Sequence, residues 1–146
     1  MLIDETEEQQ PDEQGVAIYS KWAVLGFSIF FSPLIGGILL MLNLRSTGYK
    51  KEGNMVLLFV IVYQFLQGIS LSYVAKAMGI APNDPTILQK PKIVIYLSIV
   101  NIIGGGILVE YFFKKYFPYD DYEHKSIKKP LLIVFLIATF IILFGA

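Results

Sequence analysis

The chain has 146 residues, 55% of them hydrophobic and 16% charged, with a formal net charge of zero and a mean hydropathy of +0.59. That balance excludes an ordinary soluble domain and leaves room for one compact bundle with short connections. Cysteine is absent, which excludes disulfides, thiolate catalysis and cysteine-bound metals.

Half of the acidic residues, Asp4, Glu5, Glu7, Glu8, Asp12 and Glu13, precede the first apolar run. Residues 1–15 read as an acidic flexible tail. An acidic start lacks the basic n-region of a cleavable signal peptide, so the first apolar run is expected to be retained as a span.

Four uncharged runs follow: Trp22–Leu44, Gly53–Ala75, Ile93–Val109 and Pro130–Ala146. A helix rises about 1.5 Å per residue and a bilayer's hydrocarbon core is about 30 Å thick. The first two runs are long enough to cross, and flanking aromatic residues complete the others. The expected fold is an all-α, integral membrane four-helix bundle over 16–146, with spans at about 22–44, 53–77, 93–113 and 130–146.

In the first run, Pro33 is expected to kink the helix. Ser28, Ser32 and Gly36 lie four apart on one face, with Gly37 beside them, so another backbone can come close there. The second run carries a polar stripe of Gln64, Gly68, Ser72 and Lys76, with Gln67 three residues from Gln64. In the third, Ser98, Asn101 and Gly105 share a face, flanked by Gly104 and Gly106, which reads as a tight helix crossing. Thr139 is the only polar side chain of the fourth run, which is expected to be the most lipid-exposed.

Gln64, Gln67, Ser72, Lys76 and Asn101 thus have two readings. As interhelical contacts, each amide contributes about 0.6 kcal/mol. As a polar path, they line a cavity. Lys76 reads as a lysine that snorkels to the headgroups, against a cation lining that path or a partner for the carboxylate of Ala146. Glu110 is expected to pair with Arg45 at a membrane boundary rather than to relay protons.

The loops Arg45–Gly53 and Lys114–Lys129 are basic, and Gly79–Lys92 is a turn stiffened by Pro82, Pro85 and Pro91. Tyr111, Phe112, Phe113, Tyr116, Phe117, Tyr119 and Tyr122 form an aromatic belt. With four spans, Arg45, Lys50, Lys51, Lys114, Lys115, Lys125, Lys128 and Lys129 fall on one side, against Lys21, Lys76, Lys90 and Lys92 on the other. The positive-inside rule then puts loops 45–53 and 114–129 in the cytoplasm and both termini outside a bacterial inner membrane. Basic loops there suit anionic lipids.

No acid, base and nucleophile set stands out. His124 is the only histidine, so neither a histidine-rich metal site nor a Ser-His-Asp triad is available. Asp120, Asp121, Glu123 and His124 match no metal spacing and read as a solvated turn. The glycine run Gly104–Gly106 lies in an apolar helix, not after a strand, so it is no phosphate cradle. No cofactor and no nucleic-acid partner is expected.

The stretch Ser32-Pro33-Leu34-Ile35-Gly36-Gly37, continuing to Asn43, Arg45 and Gly48, resembles a segment of small, uncharacterised bacterial membrane proteins with four spans. The resemblance implies four helices in a bacterial membrane and no particular activity. For function, the expectation is a polytopic membrane protein that is not an enzyme: an interaction or accessory protein, immunity-type proteins included, bound to a membrane partner or to itself. The alternative is a small oligomeric transporter or channel built on the stripe of the second span.

Overall fold

The computed structural model describes residues 17–118 and 123–145. The tail 1–15, Tyr119, Asp120, Asp121, Tyr122 and Ala146 lie outside the described residues. The fold is all-helical, 78% helix with no strand among the described residues. We number the helices α1 (Lys21–Phe30), α2 (Pro33–Ser46), α3 (Lys50–Ala77), α4 (Pro91–Tyr116) and α5 (Lys128–Phe144).

Helices α3 and α4, of 28 and 26 residues, are long and apolar enough to cross a membrane. In their most apolar stretches only 17% and 28% of residues are buried inside the protein. A soluble protein's core helix would be mostly covered, whereas these turn Leu58, Phe65, Tyr73 and Ile103 outward. Such surface is suited to lipid. The chain is a helical membrane protein.

The first predicted span is not one helix. Phe31 ends α1, and Ser32 is extended at φ −172° and ψ 160°. A residue before proline is steered to that region, and Pro33 itself suits the first position of a new helix. The break therefore reverses the chain instead of kinking it. In a continuous helix, Tyr19 and Asn43 would lie about 36 Å apart. Here Asn43 accepts from the Tyr19 amide at 2.7 Å and donates to the Tyr19 carbonyl at 2.8 Å. The two arms, of 10 and 14 residues, rise only about 15 and 21 Å. They form a helical hairpin whose tip, Phe31–Pro33, stops part-way through the bundle.

Glycine allows the hairpin to close. A Cβ at Gly36 would lie 2.6 Å from the Val24 carbonyl oxygen and closer still to Ser28 Oγ, and one at Gly37 would lie 2.9 Å from Val60 Cγ2. On α4, a Cβ at Gly104 would meet Pro33 at 2.5 Å and Tyr63 at 2.7 Å, and one at Gly105 would meet Ser28 at 2.7 Å. The core beneath is Val24, Phe27, Leu39, Leu40, Leu44, Val56, Val60, Leu108, Val109 and Phe113. A π-helical turn over Leu108–Phe113 carries the last three of these.

The folded-back first span also corrects the expected topology. Ile18 donates to the Glu123 carbonyl at 2.9 Å and accepts from Lys125 at 2.7 Å. Tyr49 packs on Tyr116 with ring centroids 5.3 Å apart. Residues 17–19 and the loops at 47–49 and 123–125 therefore share one end of the bundle. The N-terminal segment does not lie opposite the two basic loops. Gly48 and Gly79, at φ 92° and 70°, close the ends of α2 and α3. Behind them, Tyr49 and Ile80 donate back to Leu44 and Ala75.

Helix α5 lies apart. None of its 17 residues is buried, and only Val134 packs against the core cluster. Grooves flank it on both sides, one against Trp22, Gly26 and Phe30, the other against Ile35, Leu39 and Leu42.

Candidate functional site

Breaking a helix inside lipid exposes backbone carbonyls that water cannot reach. Asn101 of α4 answers this at the hairpin tip by donating Nδ2–H to the Ile29 carbonyl at 3.3 Å. Its Oδ1 then faces Gln67 of α3, which donates Nε2–H at 3.0 Å. Gln67 is 6% exposed and Asn101 9%. This relay, Gln67 to Asn101 to Ile29, ties both long helices to the hairpin tip.

The relay leaves one atom over. Gln67 Oε1 is buried with no hydrogen-bond partner, and so is Gln64 Oε1 one turn earlier. Both residues line a pocket of about 290 Å³ with Phe31, Ser32, Leu71, Leu88, Leu97 and Asn101. Gln67 lies ten residues before the end of α3, a rise of about 15 Å along the helix.

Other hydroxyls in the membrane region behave differently. Ser72, Ser98 and Thr139 each donate to the carbonyl four residues back, at 3.2, 2.8 and 2.8 Å. Tyr63 donates to the Val100 carbonyl at 2.7 Å, and Ser70 pairs with Tyr96. Local bonding of this kind is how lipid-facing hydroxyls avoid an unmet polar group. The two glutamine oxygens are the exceptions.

The predicted stripe therefore divides. Gln64, Gln67 and Asn101 come together at the tip. Ser72 is exposed and bonded within its own helix, and Lys76 is exposed at the far end of α3. The carboxylate of Ala146, considered as a partner for Lys76, lies outside the described residues. Of the packing residues, Ser28, Pro33, Gly36, Gly37 and Gly105 all make close approaches, and Ser32 sits at the tip. Gly68 does not: a Cβ there would meet nothing within 4 Å. It lines the pocket beside Gln64 and Gln67, and with Gln64 and Ser72 it also borders a groove on the outer side of α3.

The expected Arg45–Glu110 pair does not form. Arg45 donates to Asn54 at 2.7 Å, one turn into α3. Glu110 pairs instead with Lys114, four residues on in its own helix. The short turn between α2 and α3 brings Asn54 nearer than α4. Part of the aromatic belt turns inward: Phe113 is fully buried and Phe112 stacks on Phe59 at 5.2 Å.

The sequence reading named Asn43 only within the resemblance and missed its bonds to Tyr19, although a lone amide near the end of an apolar run is a signal. It missed Tyr63, which carried none. Gly104 was read into the tight helix crossing, and Pro33 and Tyr63 are what it meets there. Of the acidic loop, Asp120 and Asp121 lie outside the described residues, while Glu123 and His124 serve the backbone bridge to Ile18. Among the described residues no cluster of three His, Cys, Asp or Glu could hold a metal.

Comparison with known proteins finds no matching family model and no matching solved structure. It does find relatives among thiol:disulfide interchange proteins DsbD. The chain is 28% identical over 93 residues to that of Haemophilus influenzae strain PittGG, covering 58% of this chain and 16% of the relative. It is 29% identical over 90 residues to that of Haemophilus influenzae strain ATCC 51907, again 16% of the relative. The chain spans about a sixth of the length of the curated relatives it matches. These relatives overturn the expectation that the chain is no enzyme, because the proteins it resembles are named for an enzymatic exchange. The chain has no cysteine, so it brings no thiol of its own to such an exchange.

Proposed function

We propose that this protein binds a small solute within the membrane, in the manner of a transporter, at the pocket above the hairpin tip. One observation carries the reading: Gln67 lines the pocket, is 94% covered, and leaves its Oε1 without a hydrogen-bond partner. An unmet buried acceptor costs about 1–3 kcal/mol, and a bound solute removes that penalty. Broken helices at mid-membrane are a recurrent way to build such sites.

We orient the bundle by its charge. Lys21, Arg45, Lys50, Lys51, Lys114, Lys115, Lys125, Lys128 and Lys129 lie at the end holding residues 17–19, and Lys76, Lys90 and Lys92 at the other. The positive-inside rule places the first end in the cytoplasm. The pocket then faces outward past Leu88, and the packed hairpin closes the cytoplasmic half.

The absence of native cysteine makes a direct test available. In Ser32→Cys, a membrane-impermeant thiosulfonate reagent should label the single thiol from the Leu88 side and not from the Lys50 side. Leu132→Cys on the lipid face should stay unlabelled. Protection of Ser32→Cys from both sides sinks the proposal.

The similarity to thiol:disulfide interchange proteins favours a second reading: an accessory bundle beside a thiol-bearing membrane partner, with the thin packing of α5 as the docking side. A photo-crosslinker at Ile142 that yields only self-crosslinks or lipid adducts counts against it.

A further inference from the structure

Helices α2 and α5 face each other without closing on each other. Ile35, Ile38 and Leu42 form one wall, and Pro130, Ile133 and Ile137 the other. Each set has the i, i+3, i+7 spacing of a packed helix face. Yet a groove of about 330 Å³ stays open between them. Apolar walls with nothing between them forfeit their contacts, and in a bilayer an acyl chain restores them.

The hairpin sets the depth of this groove. Ile35 to Leu42 is a rise of about 10 Å, and α2 begins only two residues before Ile35, at Pro33. One leaflet supplies about 15 Å of hydrocarbon, half of the core. Measured from the end that carries Lys129, the groove stays within one leaflet. A partner's spanning helix must cross both leaflets, whereas one lipid chain does not.

The mouth of the groove is cationic. Lys129 is part of its wall. Lys125 is held beside it: its amide donates to the Ile18 carbonyl at 2.7 Å, and its Nζ lies 5.0 Å from the centroid of the Tyr19 ring, which also lines the groove. Both lysines are exposed, and among the described residues neither pairs with a carboxylate. Lys129 stands in the first turn of α5, where the helix dipole disfavours a cation, so the helix itself gives no reason for its charge. An apolar trough with two cations at its mouth matches an amphiphile with an anionic head.

We propose that the groove between α2 and α5 binds an anionic phospholipid, one acyl chain filling the trough and the phosphate held by Lys125 and Lys129. This does not rest on the solute-binding reading.

The test uses the full chain in phosphatidylcholine vesicles doped with a brominated lipid, either phosphatidylglycerol or phosphatidylcholine. A bimane on Ile137→Cys, at the inner end of the groove, reports contact with bromine by quenching, and one on Leu132→Cys, on the lipid face, is the reference. At Ile137→Cys, phosphatidylglycerol should be preferred about twenty-five-fold, about fivefold for each lysine. Lys125→Gln and Lys129→Gln should each remove about fivefold. Lys128→Gln removes the same charge outside the groove wall and should change the preference less than about twofold. Ile38→Trp fills the trough and should abolish the preference with every lysine in place. The lysines are exposed, so their variants keep the test standing even if Ile38→Trp does not fold. Equal losses in the three lysine variants overturn the proposal, because the attraction is then diffuse. So does a preference that survives Ile38→Trp, or none at Ile137→Cys in the otherwise native chain. If neither lipid quenches at Ile137→Cys while both quench at Leu132→Cys, a protein covers the groove and the proposal fails. The solute-binding reading stands or falls separately, on the labelling of Ser32→Cys.

Discussion

Gly36→Ala distinguishes a folded-back hairpin from a kinked single span. A Cβ at this position would sit 2.6 Å from the Val24 carbonyl oxygen and nearer still to Ser28 Oγ, where real Cβ atoms essentially never come under 3.0 Å. Neither neighbour can move aside. The carbonyl is backbone, and the buried Ser28 hydroxyl is held to it at 2.7 Å. The methyl group must push the two arms apart. Overpacking of this kind costs about 1–3 kcal/mol, while alanine returns about 1 kcal/mol of helix propensity over glycine. Because the clash is with backbone, the upper part of the range applies, and a net loss of about 1–2 kcal/mol is expected. Gly26→Ala is the control, since a Cβ there meets nothing within 4 Å. It should gain up to about 1 kcal/mol from propensity alone. Both variants are compared by reversible unfolding in mixed detergent micelles, followed by Trp22 fluorescence. Equal stabilities would refute the close contact of α1 with α2, and with it the hairpin.

Asn43→Leu should be more damaging, by about 2–4 kcal/mol in the same assay, because it leaves the buried Tyr19 N–H and C=O without partners. A loss below about 0.5 kcal/mol would mean that water or lipid reaches them. Single cysteines at Ala17, Gly48 and Asn83 should divide two and one: the first two labelled from the same side of a sealed vesicle, the third from the other. Labelling of Ala17→Cys together with Asn83→Cys would restore a four-crossing arrangement. In the outer turn, hydrogen bonds from the Thr86 side chain and amide, at 2.7 and 2.8 Å, hold the exposed Asp84 carboxyl below the usual carboxylate range, and Lys90 at 3.4 Å adds to this. A depressed folded pKa stabilises the turn above the unfolded value. That stabilisation is lost as pH falls through the folded one. Amide exchange at Thr86 should therefore quicken only in acid, below the ordinary carboxylate pKa, and a change centred near neutrality would exclude Asp84 as its cause.

Composition and run length alone determined that this is an all-helical membrane protein. Apolar area per residue is a sum over the chain, and a bilayer reads that sum directly. Small residues also marked packing positions: Ser28, Gly36, Gly37 and Gly105 all meet neighbours, but Ser28 and Gly36 face each other across the hairpin instead of sharing one helix face, because the four-residue repeat is broken at Ser32. Gly68 obeyed the same repeat and packs against nothing, because what lies opposite is a tertiary matter. The sense of the first span was of that kind too. Pro33 permits either a kink or a new helix start, and the choice rests on Asn43 reaching Tyr19 and on Gly104 and Gly105 admitting the folded tip. That single choice moved the N-terminal segment to the other face of the bundle. The pocket followed from it as well: Gln67 and Asn101 were visible as amides, but their pairing, and the oxygen left over, exist only once a helix end is placed beside Asn101 inside the bundle. Periodicity records which side chains share a face, whereas hydrogen-bond direction depends on atoms brought together from distant parts of the chain.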